Sequence, residues 1–89
     1  SPSAVLEAMA SGLAVVATDI DGCREVLGND YPFLSQPGNA AAMKSNILRL
    51  LLDPDLSREI GIRNKLRIQQ EFSIDRMGEA YVRIFETLL

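Results

Sequence analysis

Glu7 is the only charged side chain among the first eighteen residues, set in Ser1-Pro2-Ser3-Ala4-Val5-Leu6-Glu7-Ala8-Met9-Ala10-Ser11-Gly12. A carboxylate offers two acceptor oxygens, so it can take two hydrogen bonds from a ribose diol. The same group can equally be a buried or rim carboxylate held by a structural partner. A second candidate segment is Asp19-Ile20-Asp21-Gly22, followed by Cys23, Arg24 and Glu25. Cys23 has no companion that would make it a nucleophile and reads as a small core or rim residue. Arg24 reads as a surface cation, and Glu25 as a residue that caps or pairs within its own turn. Histidine is absent, which removes the commonest general base and the commonest metal ligand.

These groups need elements to position them. Ser1 suits an N-cap, Pro2 the first helical position, and Gly12 a left-handed residue ending the helix. At helical spacing Val5, Leu6, Met9, Ala10 and Leu13 share one side, while Ser3, Ala4, Glu7, Ala8 and Ser11 share the other. That second face is too bare for an ordinary solvated surface, so something large, a backbone or a ligand, is expected over it. Ala14-Val15-Val16-Ala17-Thr18 predicts a strand covered on both faces, as in a parallel sheet. The loop Asp19–Gly22 leaves its carboxyl end, Arg24–Leu27 suit a helical turn, and Gly28-Asn29-Asp30 close it. A second strand is centred on Phe33-Leu34-Ser35, because Pro32 interrupts the run before it.

Three helices are expected beyond the Gln36-Pro37-Gly38 turn. Asn39 caps the first, with Met43, Ile47, Leu50 and Leu51 on one face. Asp53-Pro54 starts the next, expected to reach about Gln70, with Gly61 as an interruption and an irregular stripe of Leu56, Ile60, Ile62 and Leu66. Its Arg58–Glu71 charges read as a solvated face. Ser73 caps the last, where Met77, Tyr81, Ile84, Phe85 and Leu88 keep strict helical spacing. A lone helix, strand, short helix, strand and further helices fit the last part of an open α/β sheet. Two strands cannot bury helices on both faces, so further parallel strands are expected upstream.

The 89 residues make at most one domain. A net charge of −3 gives no basic footprint for nucleic acid. No apolar run reaches the ~20 residues that span a bilayer. The single cysteine favours a reducing, cytoplasmic setting.

Ser1 to Thr18 resembles the nucleotide-sugar signature of the large group-1 family of retaining glycosyltransferases. Gly22 to Leu27, Pro37-Gly38-Asn39, Leu51-Leu52-Asp53-Pro54 and Glu71-Phe72-Ser73 are similar to later landmarks of that family, in the same order. The resemblance covers essentially the whole chain. It implies a GT-B architecture, with residues 1–89 forming the C-terminal part of the Rossmann-like donor-binding domain. The acceptor domain and the upstream strands would lie outside the chain.

The family motif is a pair of glutamates separated by seven residues, and Glu7 matches the second. The resemblance implies that Glu7 binds the donor ribose and that the backbone at Ser3, Ala4 and Val5 approaches the diphosphate and sugar. The first glutamate would stand two positions ahead of Ser1. Family members usually carry Gly-Gly where this chain has Asp21-Gly22. The implied activity is transfer of a sugar from a nucleotide-diphosphate donor to a glycan or lipid-linked acceptor. No catalytic residue, metal or cofactor is assigned in this chain, and the isolated piece is expected to be inactive. The parent protein is expected in the cytoplasm, with peripheral association at the inner face of the membrane. A non-catalytic scaffold module and a piece of a nucleotide-sugar epimerase are the alternative readings.

Overall fold

A computed structural model describes residues 2–72. Ser1, as an N-cap, and the last helix with Ser73 and its Met77–Leu88 stripe lie outside the described residues. The elements run α1 (Pro2–Ala10), β1 (Ala17–Thr18), α2 (Cys23–Leu27), β2 (Leu34–Ser35), α3 (Ala40–Leu52) and α4 (Pro54–Glu71). β1 and β2 pair in parallel, with Ala17 opposite Leu34 and Thr18 opposite Ser35. This is the expected mixed fold, a partial Rossmann-like unit with two parallel strands. Parallel neighbours need a crossover, and α2 lies in it.

α1 stops at Gly12 for a definite reason. Gly12 has φ +76°, its N–H donates to the Met9 carbonyl at 3.0 Å, and the Leu13 N–H donates to the Ala8 carbonyl at 3.0 Å. These are the two bonds of a Schellman cap, which glycine adopts without a Cβ penalty. Leu6 and Met9 of α1 are fully buried, whereas Leu13 is 56% exposed and Ala10 is also exposed. The expected apolar side is therefore only half covered.

β1 is shorter than the predicted run. Ala14, Val15 and Val16 are half-buried and lie outside any strand. Backbone hydrogen bonds toward β2 and its flank begin only at Ala17. The Ala17 N–H donates to the Phe33 carbonyl (3.1 Å) and the Asp19 N–H to the Ser35 carbonyl (2.8 Å). At Val15 the partner is a side chain: the Tyr31 hydroxyl accepts from the Val15 N–H at 3.1 Å and donates to the Val15 carbonyl. Tyr31 thus supplies the contact that backbone ahead of Pro32 does not make.

α3 and α4 start where their caps predict. Asn39 Oδ1 accepts from the Ala42 N–H, and Asp53 Oδ1 from the Leu56 N–H, both at 3.0 Å, with Pro54 at the start of α4. Leu50 is buried, but Ile47, Leu48, Leu51 and Leu52 are exposed by 42%, 43%, 70% and 80%.

α4 corrects two expectations. Gly61 does not interrupt it: the helix runs unbroken through Glu71. A Cβ at Gly61 would fall 2.1 Å from the Gly12 carbonyl oxygen, so glycine is there to let two backbones touch. The buried stripe is Gly61, Asn64 and Ile68, while Ile62 and Leu66 are exposed by 55% and 46%. The apolar spacing hid this because two of the three buried positions are not apolar side chains. Phe33, Leu27, Leu6 and Met9 form the centre of the core. The Phe33 and Tyr31 rings meet edge-on at 5.9 Å.

Candidate functional site

The Schellman turn at Gly12 reverses the chain between α1 and β1. Nine helical residues rise about 13 Å, and the extended run 14–18 covers about 16 Å. The N-terminal turn of α1 therefore returns to the level of the carboxyl end of β1, and α1 packs against α2. In open α/β sheets ligands bind beyond the carboxyl strand ends. Two candidate segments belong to that end: the start of α1 and the loop 19–22.

Pro2–Ala10 is a helix, so the amides of its first turn have no intrahelical acceptor. Ser3 is half-buried, Ala4 exposed and Val5 half-buried. Glu7 is exposed in the second turn, and its carbonyl accepts from the Ser11 N–H at 3.1 Å. Of the expected alternatives, a buried carboxylate is thus excluded for Glu7 in this piece. On its face Ala4 and Ser11 are also exposed, while Ser3 and Ala8 are half-buried.

The loop after β1 is built as a tight turn. Asp21 has φ +49° and Gly22 φ +81°, and the Cys23 N–H donates to the Ile20 carbonyl at 3.0 Å. Two successive positive φ values with this bond define a type I′ turn, which favours Asp-Gly or Gly-Gly. Asp21 is one of the few side chains that tolerate the left-handed region, so the turn survives without a glycine there. Its carboxylate is exposed.

Arg24 locks this turn from behind. Its Nε and Nη2 donate to Asp19 Oδ2 at 3.0 and 2.8 Å, and its Nη1 donates to the Asn29 carbonyl at 3.0 Å. The hydrogen bond to Asp19, then its charge, raise the Arg24 pKa above the ordinary guanidinium value. Arg24 keeps 41% of its side chain exposed, as expected for a surface cation, and it is also a strut joining the two ends of the short helix. Cys23 is buried in the core, in keeping with its expected place as a small core or rim residue. Glu25 is exposed in the first turn of α2, where a negative charge suits the helix dipole.

At the carboxyl end of β2, Ser35 is buried, and among the described residues its Oγ has no hydrogen-bond partner. A groove lined by Asp30, Glu59, Ile62, Arg63, Leu66 and Arg67, together with Gln70 and Glu71, lies at the opposite end of α2 from the type I′ turn. It shares no residue with the candidate segments. Among the described residues no group of His, Cys, Asp and Glu could hold a metal ion, and no helix is long and apolar enough to cross a membrane.

Sequence reasoning missed Arg63, Arg67 and Asn64. Arg63 Nη1 donates to the Leu27 carbonyl at 2.6 Å, and Arg67 donates to Val26 (2.7 Å) and Glu25 (3.1 Å) carbonyls. Asn64 is fully buried and its Nδ2 donates to the Leu13 carbonyl at 3.0 Å. Read along α4, these residues resemble any charged helix face. Their targets are backbone carbonyls more than thirty residues away, which leave no mark on the local pattern.

Residues 1–67 match the family model described as "Glycosyl transferases group 1". The chain is 28% identical over 86 residues to N-acetyl-alpha-D-glucosaminyl L-malate synthase of Bacillus anthracis, covering 96% of this chain and 23% of that protein. It is 32% identical over 85 residues to trehalose synthase of Pyrococcus horikoshii, covering 94% and 20%. It is 28% identical over 89 residues to N,N'-diacetylbacillosaminyl-diphospho-undecaprenol alpha-1,3-N-acetylgalactosaminyltransferase of Campylobacter jejuni, covering 99% and 23%. The chain thus spans about a fifth to a quarter of the length of the curated relatives it matches. No solved structure matches it.

Proposed function

We propose, for a chain that belongs to the group 1 glycosyl transferases, that it forms part of the donor-binding half of a larger enzyme. That enzyme transfers a sugar from a nucleotide-diphosphate donor to a glycan or lipid-linked acceptor. The observation that carries the reading is the family match over residues 1–67, which takes in both segments at the carboxyl end of β1. Glu7, exposed on a face with no other charge, accepts hydrogen bonds from the donor ribose. The backbone at Ser3, Ala4 and Val5 approaches the diphosphate, where amides of the first helical turn favour an anion. A relative whose name specifies a diphospho-undecaprenol substrate supports a lipid-linked acceptor.

Within such an enzyme, this piece binds and orients. Holding the donor in place and stabilising charge on the departing diphosphate are the ways a site of this kind accelerates transfer. The residues described here contribute to the first of these. The isolated chain is inactive on this reading, because the acceptor side of the cleft lies outside it.

Glu7→Gln in the intact enzyme tests the proposal. Hydrogen bonds to a charged group contribute about 1.5–3 kcal/mol, so nucleoside diphosphate binding should weaken about ten- to hundred-fold. An unchanged dissociation constant rejects the ribose-binding role. Donor turnover by the isolated chain above background rejects its inactivity.

A further inference from the structure

α4 touches both helices that lead to the candidate site, and it grips each at the far end. On α1 the grip is the contact of Gly61 with the Gly12 carbonyl and the Asn64 bond to the Leu13 carbonyl. On α2 every carbonyl of the last turn is taken. Arg24 gives its carbonyl to the Gly28 N–H at 2.8 Å, Glu25 and Val26 give theirs to Arg67, and Leu27 gives its to Arg63. Three of those four partners are guanidinium N–H groups reaching over from α4.

Five residues cannot form a stable helix alone, so neighbours set the direction of α2. Cationic groups at its carboxyl end also match the negative pole of the helix. Arg63 is further fixed by its position 4.9 Å over the Tyr31 ring and by contacts with Asn64 Oδ1 and Asp30. Its direction is therefore well determined. The amino end of the same rigid turn begins at Asp21–Gly22.

We infer that Arg63 and Arg67 are positioning residues for the donor site, holding α2 so that the Asp21–Gly22 turn stands at a fixed place relative to Glu7. The inference rests on the donor-binding reading above. Neither arginine touches the donor; each acts through the backbone of α2.

The test uses the intact enzyme that carries this chain, titrated calorimetrically with UDP, GDP and ADP well below its melting temperature. Arg67→Met removes two carbonyl contacts and keeps the apolar stem. Leu50→Ala, at a buried position on α3, serves as a control that lowers stability from elsewhere in the core. The dissociation constant of whichever diphosphate the wild type binds should rise on the order of ten-fold for Arg67→Met, as misplacement by a remote support produces. Arg67→Lys should recover part of the loss, and Leu50→Ala should lower the melting temperature with no change in affinity. Arg67→Lys replaces Arg67→Met in the comparison if the latter does not fold.

Equal affinities for the Arg67 variants, Leu50→Ala and wild type overturn the positioning role. Glu7→Gln in the same series separates the two ideas. If Glu7→Gln weakens binding and the Arg67 variants do not, positioning alone fails. If wild type binds none of the three probes, or Glu7→Gln binds as wild type does, the donor reading fails and this inference falls with it.

Discussion

Gly61 of α4 lies so close to Gly12 that an added Cβ would fall 2.1 Å from the Gly12 carbonyl oxygen. A helix-interior Gly→Ala change normally gains about 1 kcal/mol. Here the obstacle is backbone, held in a Schellman turn that cannot yield without unwinding the end of α1. Gly61→Ala is therefore expected to destabilise the fold by about 1–3 kcal/mol, measured as a lower urea midpoint. A raised midpoint would contradict the close crossing.

Tyr31→Phe removes one oxygen that serves both the N–H and the carbonyl of Val15. Leaving such groups without partners costs about 1–3 kcal/mol. The Val15 amide should also exchange with solvent faster than its neighbours. Retained protection at Val15 in hydrogen exchange would show that Tyr31 is not its partner.

Asp21 occupies the left-handed region at φ +49°. A β-branched side chain fits poorly there, so Asp21→Val should lose about 1–2 kcal/mol, whereas Asp21→Gly should lose nothing. Thermal melts of the two variants distinguish them. Equal losses would mean that the Asp21 carboxylate, and not the backbone conformation, holds the turn.

Leu51 and Leu52 leave most of their side chains in solvent at the end of α3, beside exposed Ile47 and Leu48. Contiguous apolar surface of this kind promotes association. The isolated chain should sediment with a mass that grows with concentration, and Leu51→Lys with Leu52→Lys should suppress that growth. A concentration-independent monomer in the unaltered chain would contradict the expectation.

Much of the fold was legible because short-range rules governed it. Asn39, Asp53-Pro54 and Gly12 mark helix ends through bonds made within a few residues, and all three stand where expected. Leu34 and Ser35 stand in β2 as expected, because Pro32 cannot donate to a ladder, whereas Phe33 falls just outside the strand. Gly61 was misread as an interruption because its reason is another backbone, distant in sequence. Arg63 and Arg67 were misread as a solvated face for the same cause: a charged residue that caps a remote helix looks like one facing water. The strand at 14–18 was overdrawn, since β-branched composition does not reveal that β2 turns away before it can pair with Val15. At the site, spacing alone put Glu7 among the small residues on one face of α1, but the cover expected over that face reaches only Ser3 and Ala8, which are half-buried. The tight turn at Asp21–Gly22 was read only as a loop, although the dipeptide itself favours paired positive φ angles.

The Tyr31–Val15 contact also determines how the sheet could grow. Val15, Ala17 and Asp19 turn their N–H groups toward Tyr31 and β2, so odd-numbered rungs are already spoken for. Along an extended chain the intervening residues face the other way, which leaves the N–H groups of Val16 and Thr18 for the opposite edge. A strand added there must read even-numbered rungs, and a slip by one residue would find no donors to meet. The numbering of the next strand's partners is thus set in advance by the bonds of Ala17 and Asp19 to the β2 side, and the Tyr31 phenol oxygen carries the same parity back to Val15.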